Sequence, residues 1–230
     1  ASIKSIHDRL SPKAVRVQLP IGREDSLSGV VDLITMKAYR FAGNMGMEVK
    51  EEEIPADMVE EAQKWRGELI EQVVAHDDEL MEAYLAGDEP STDELKKTLR
   101  KAVLANEIFP ILTGSALKNI GVQLVLDAVV DYLPGPTDLP PVEGVDPKDE
   151  ETKLERKPSD EEPFSALVFK LQDDKFVGQL AFFRVYSGVV KAGTYILNSS
   201  TGNKERVGRI VRLQADKRAE IEEVYAGEIA

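Results

Sequence analysis

Few side chains in this sequence could do chemistry. There is no cysteine, and the only histidines are His7 and His76, so disulfides and thiolate metal sites are excluded and little is left for imidazole chemistry. Two adjacent acid pairs, Asp77 with Asp78 and Asp173 with Asp174, have the residue type for general acid–base work. Both lie in polar, turn-like stretches, where carboxylates are solvated or cap helices, and neither pair is assigned catalysis. The histidines have no evident partner and read as surface or helix-end residues. The patterns G-x-x-x-x-G-K-[ST], H-E-x-x-H and G-x-S-x-G are absent. What remains is a turn. In "FPILTGSALKNIGVQLVLDAV", residues 109–129, an apolar run ends on Thr113, Gly114, Ser115 and Ala116 before an amphipathic run begins. Open α/β sheets build ligand sites at such strand-to-helix turns. A small residue there leaves its backbone N–H open to the carbonyl oxygen of a flat ligand. The alternative is an ordinary turn in which Ser115 or Asn119 caps the next helix.

The elements that must position this turn follow from periodicity. Ile3, Ile6 and Leu10 have helical spacing and are stopped by "SP". "AVRVQLPIG" and "SGVVDLITMKAYRF" are β-branched and partly alternating, as strands of a small sheet, with turns at "GREDSLSG" and "AGNMGM". From Pro55 the period changes: Met58, Ala62, Trp65, Leu69, Val73, Leu80 and Tyr84 form a helical stripe, in which Trp65 reads as core. The stretch is one long helix or, with a break near "HDD", two. "STDE" at 91–94 is a capping box for a further helix, then come the strand "IFPILTG" and the helix "NIGVQLVLDAVVDYL". Residues 136–162 are rich in proline and acids without periodicity and read as a connection. From Phe164 onward, short strands at about 8–12 residue spacing with glycine turns indicate a barrel or sandwich.

Charge is segregated along the chain. Of the 42 acids and 29 bases, residues 48–94 hold 17 acids and 3 bases, so one segment carries the acidity behind the net charge of −13. Residues 163–218 hold 10 bases and 4 acids, which points that part toward an anionic partner. No apolar run reaches about 18 residues and the N-terminus lacks a signal pattern, so a soluble, cytoplasmic protein without a membrane partner is expected.

"TGSALKNIGVQLVLDAVVDYLPGPTDLP" resembles the end of the GTP-binding domain in the translation elongation factor G family. "EEIPADMVEEAQKWRGELIE" is similar to that family's inserted subdomain, and "PFSALVFKLQDDKFVGQLAFFRVYSGVVKAG" to its second domain. The resemblance covers essentially all 230 residues. It implies a mixed α+β and α/β fold. Residues 1–135 would be the C-terminal part of a GTP-binding domain with an inserted α+β subdomain at about 14–107, residues 136–162 a linker, and residues 163–230 an incomplete β-barrel.

The same resemblance assigns roles. Ser115, Ala116 and Leu117 match the guanine-reading turn, with the Ala116 N–H donating to the guanine carbonyl oxygen. The P-loop, D-x-x-G and N-K-x-D motifs are absent; "NKER" at 203–206 has Arg206 where a carboxylate is needed. The chain is thus expected to begin after N-K-x-D and to stop within the second domain. It would have no catalytic residue or metal ligand of its own, and bind neither the GTP or GDP nor the Mg²⁺ used by the whole protein. Glu60, Glu68, Glu71, Asp78 and Glu82 would face the C-terminal domain of the ribosomal stalk protein. On one continuous helix they would share a face, and a break near "HDD" would leave only the first three on it. Arg184, Arg209 and Arg212 would meet small-subunit ribosomal RNA. Open strand edges at "FPILTG" and "YAGEIA" would allow self-association. The implied function is that of a ribosome-contacting segment of the translocation GTPase. The alternatives are a piece of a ribosomal protection protein or another ribosome-binding GTPase, and an unrelated acid-dyad hydrolase.

Overall fold

The structure is a computed structural model that describes residues 2–146, 149–174, 178–215 and 217–230. The chain forms two compact units, residues 1–133 and 134–230.

In the first unit, helix α1 (Ser2–Arg9) is followed by an apolar run that serves two sheets. Its first half, β1 (Ala14–Arg16), and its second half, β2 (Gln18–Ile21), are separated only by Val17, whose N–H donates to the Ile111 carbonyl and whose carbonyl accepts from Leu33. β2 begins a four-stranded antiparallel sheet with β3 (Gly29–Asp32), β4 (Lys37–Ala42) and β5 (Glu48–Glu52), in that order. β1 pairs in parallel with β6 (Phe109–Ile111). Val15, Val17, Leu19 and Ile21 alternate inward along the run and are all buried, as the period of two requires. β5 had no counterpart in the apolar pattern, because all five residues of "EVKEE" are exposed. It is an edge strand whose charges blunt further pairing, so backbone hydrogen bonds rather than burial define it.

Against these strands pack α2 (Val59–Val74), α3 (Asp78–Leu85) and α4 (Thr92–Leu104). Ala62, Leu69, Ile70 and Val73 bury the inner stripe of α2, and Leu95, Leu99 and Val103 that of α4. The break at "HDD" is real: Asp77 is the N-cap of α3, its carboxylate accepting the Leu80 N–H at 3.2 Å. The capping box of α4 is formed as well, with Ser91 Oγ accepting the Glu94 N–H at 3.3 Å and the Ser91 N–H donating to Glu94 Oε2 at 2.9 Å. α5 (Val122–Tyr132) lies along α4, tied by Lys96 to Asp131 at 3.2 Å and by Arg100 to the Asp131 carbonyl at 2.8 Å. Only Tyr132 of α5 is buried, while Val125, Leu126, Val129 and Val130 are exposed.

The second unit corrects the reading of residues 136–162 as a connection without elements. β7 (Val142–Asp146) and β8 (Asp149–Arg156) pair there as an antiparallel ladder. Their few apolar residues, Val142, Val145 and Leu154, are too sparse among charges to give a period, so the backbone pairing left no sequence signal. The remaining strands are antiparallel pairs: β9 (Ser165–Asp174) with β10 (Gly178–Ser187), β11 (Val190–Lys191) with β16 (Glu223–Val224), β12 (Tyr195–Asn198) with β13 (Asn203–Arg206), and β14 (Ile210–Gln214) with β15 (Lys217–Ile221). Val185, Val190, Ile210 and Val224 form the small core, with Phe164 and Phe183 packed against it. The protein is therefore a mixed α/β structure with several small sheets, and among the described residues none closes into a barrel. Among those residues no helix is long and apolar enough to cross a membrane.

Candidate functional site

The turn at 115–117 is closed by two backbone bonds, Ser115 N–H to the Ile120 carbonyl at 2.8 Å and Ile120 N–H to the Ser115 carbonyl at 3.0 Å. The chain passes itself closely at its base. A Cβ on Gly114 would stand 2.4 Å from the Ile120 oxygen, and one on Gly121, whose φ is +79°, 2.7 Å from the Thr113 oxygen. Neither Ser115 nor Asn119 caps the following helix. Gly121 occupies the N-cap of α5, and Ser115 Oγ instead accepts the Lys118 N–H at 3.4 Å inside the turn. Ser115 is half-buried, Ala116 and Leu117 are exposed, and the Ala116 N–H has no acceptor among the described residues. The turn thus presents a backbone donor, on an exposed residue, with no acceptor among the described residues.

Four contacts hold the turn, all from residues that sequence reading missed as anchors. Buried Gln18 accepts the Thr113 N–H at 3.1 Å. Lys118 donates to the Asp25 carbonyl at 3.2 Å, Asn119 to the Met45 carbonyl at 2.8 Å, and Gln123 to the Gly46 carbonyl at 3.0 Å. Loops on either side of β3 and β4 therefore clamp it. No local signal could reveal this, because each partner lies 74 to 95 positions away in sequence.

The acidic residues divide between two helices. Glu60 and Glu71 are exposed on α2, whereas Asp78 and Glu82 are exposed on α3, so the five do not share one helical face. Glu68 is half-buried and lines a small pocket with His7, Arg16, Trp65 and Gln72. Trp65, expected as core, is half-buried with the Arg16 guanidinium stacked 3.4 Å from its ring centroid. Burial pulls the Arg16 pKa down, opposed by the charges of Glu68 and Glu61. His7 does have a partner, its Nε2 donating to the Ala14 carbonyl at 2.7 Å, which ties α1 to β1. Asp77 serves as a cap rather than half of a dyad, and the side chain of Asp174 lies outside the described residues. Among the described residues no group of three His, Cys, Asp or Glu could hold a metal ion.

The three arginines singled out in the second unit differ. Arg209 is exposed. Arg212 is paired with Glu228 at 2.6 Å. Arg184 is half-buried, with its Nε buried and without a partner among the described residues and its guanidinium 5.7 Å from the Tyr186 ring centroid. Lys191 is neutralised by Glu223 at 2.9 Å.

Residues 163–230 match the family described as elongation factor G domain 2. Over 99% of its length the chain is similar to a crystal structure from Thermus thermophilus, with a TM-score of 0.73 and 28% sequence identity. It spans 31% of the length of that protein. Residues 163–230 thus carry the sequence of an elongation factor G domain 2, and nearly the whole chain shares the fold of about a third of the Thermus thermophilus protein.

Proposed function

We propose that this chain is the part of a translational GTPase that closes the guanine side of the nucleotide site and meets the ribosome. The observation that carries this reading is the free Ala116 N–H on a turn clamped by Gln18, Lys118, Asn119 and Gln123, in a chain whose second unit has an elongation factor G sequence. An exposed donor on a clamped turn suits a purine carbonyl oxygen, and its preorganisation spares the loop-ordering cost of binding. GTP, GDP and Mg²⁺ belong to the whole protein, in which Ser115, Ala116 and Leu117 form one wall of the site. The small sheets of the second unit are strands of the family's barrel.

The ribosome is the partner in this reading. Glu60 and Glu71 on α2, with Asp78 and Glu82 on α3, attract the basic C-terminal domain of the stalk protein, while Glu68 supports the Arg16–Trp65 stack behind them. Arg184, Arg209 and Arg212 belong to the unit that faces small-subunit ribosomal RNA, with Arg209 the most available. The open edge of β6 and the exposed apolar face of α5 favour self-association. Cytoplasmic location follows from this partner.

Sedimentation of the chain through a sucrose cushion with purified ribosomes tests the reading. The chain should travel with ribosomes at low salt and be displaced by intact elongation factor G; no sedimentation, or sedimentation that the factor does not compete, refutes it. For the stalk, replacing Glu60 and Glu71 with Lys together should slow association at low salt by about 3- to 10-fold. An unchanged rate removes the acidic surface from the proposal.

A further inference from the structure

The hairpin β12–β13 carries its side chains on two chemically different faces. Tyr195 stands opposite Arg206 and Leu197 opposite Lys204 in the ladder, so these four share one face. All four are exposed, Tyr195 at 69% and Leu197 at 51%. The other face carries Ile196, packed on the core, and Glu205, which accepts from Asn198 at 2.7 Å. The only acid in either strand is thus turned away from the exposed face. Among the described residues neither Lys204 nor Arg206 has an ion-pair partner, in contrast to Lys191 and Arg212. Two uncompensated cations on β13 therefore stand beside an exposed phenol ring on β12, Arg206 directly across from it and Lys204 across from Leu197.

We propose that this face docks single-stranded RNA, with Tyr195 stacking on an unpaired base and Arg206 and Lys204, along the neighbouring strand, contacting two successive phosphates. The proposal rests on the reading of the second unit as ribosome-facing and goes beyond it in naming the surface and the form of RNA. Lys204 and Arg206 are two residues apart on one strand, roughly 7 Å, which suits neighbouring phosphates of an extended chain. A duplex hides its base faces, so an exposed ring rewards only an unstacked base. An acidic peptide would satisfy the two cations but would leave Tyr195 and Leu197 with nothing flat to cover them. Charge and stacking together thus favour single-stranded nucleic acid over a protein partner.

Fluorescence anisotropy of the full 230-residue chain with a labelled ten-nucleotide single-stranded RNA, and with the same RNA as a duplex, tests this at 50 and 200 mM salt. The chain should prefer the single strand. Tyr195→Ala should weaken binding about tenfold, and Tyr195→Phe, which keeps the ring, should stay within about twofold of the unsubstituted chain. Lys204→Gln with Arg206→Gln should reduce the slope of log affinity against log salt by about 1.4, the share of two phosphates on a single strand. Arg209→Gln, outside the ribbon, should leave the Tyr195 effect intact. All of these side chains are exposed, and circular dichroism checks that the variants fold. If Tyr195→Ala and the double variant bind like the unsubstituted chain, the ribbon is overturned while RNA binding elsewhere in the unit stands. Equal affinity for duplex, or displacement of the RNA by a poly-glutamate peptide at comparable concentration, also overturns it. A chain that sediments with ribosomes yet binds no single strand refutes this inference and leaves the ribosomal reading in place. A chain that binds RNA through the ribbon but not ribosomes does the reverse.

Discussion

Arg16 and Trp65 join β1 to α2 through a flat stack rather than an ion pair. A stacked, partly desolvated guanidinium contributes about 0.5–2 kcal/mol, and its methylene stem adds packing. Arg16→Ala should therefore lower the stability of the first unit by about 1–2 kcal/mol, and Lys should restore little, because an ammonium cannot lie flat. Trp65 is the only tryptophan, so urea unfolding followed by its fluorescence reports this unit alone; an unchanged midpoint would remove the stack from the account. Asp77 gives a second expectation, in pH. Its hydrogen bond from the Leu80 N–H, and next the nearby Lys101, hold its carboxyl below the usual range. A depressed folded value means that its contribution is complete above the ordinary aspartate pKa, about 3.9, and is lost as pH falls through the lower folded value. Asp77→Asn keeps an oxygen for the Leu80 N–H but drops the charge. The stability gap between the two proteins should be constant near neutrality and close below about pH 4; a gap that persists in acid contradicts the assignment.

At the scale of elements, α4 shows local signals and burial agreeing. The Ser91 and Glu94 box sits at its start, and Leu95, Leu99 and Ala102 follow at core spacing. Ser91→Ala should cost about 1 kcal/mol, read from the urea midpoint, since the Glu94 N–H would lose its side-chain acceptor at the start of the helix. A loss below about 0.3 kcal/mol would mean that the helix is held by its buried face alone. The same agreement made α2, α3 and their break at Asp77 readable from spacing and cap chemistry. It failed for β5, β7 and β8. These strands bury almost nothing, and a strand made by backbone pairing between charged side chains has no period to detect. The turn at 115–117 falls between these cases. Its small residues and flanking glycines were legible, whereas its clamp was not, because Gln18, Asp25, Met45 and Gly46 reach it only through the folding of β2 to β4 around it.

Across the whole molecule, apolar surface and unpaired edges remain after both units have folded. Among the described residues β6 pairs on one side only, and α5 leaves Val125, Leu126, Val129 and Val130 in water. Sedimentation velocity over a concentration series should show association, and Leu126→Glu with Val130→Lys should reduce it at least severalfold; a chain that stays monomeric at every concentration contradicts this. The sequence by itself determined the helices with strong periodicity, the strand-rich tail, the segregation of charge and the elongation factor G domain 2 pattern of residues 163–230. All of these rest on side-chain pattern, which is written locally. Only the tertiary structure decided that Glu68 is half-buried in a pocket with Arg16 and Trp65 while Glu60 and Glu71 of the same helix stay exposed. It likewise decided which cations are free, because Glu228 and Glu223 neutralise Arg212 and Lys191 while Lys204 and Arg206, among the described residues, stay unpaired beside Tyr195. Pairing between charges depends on distances of a few ångströms between residues far apart in the chain, and composition carries no record of them.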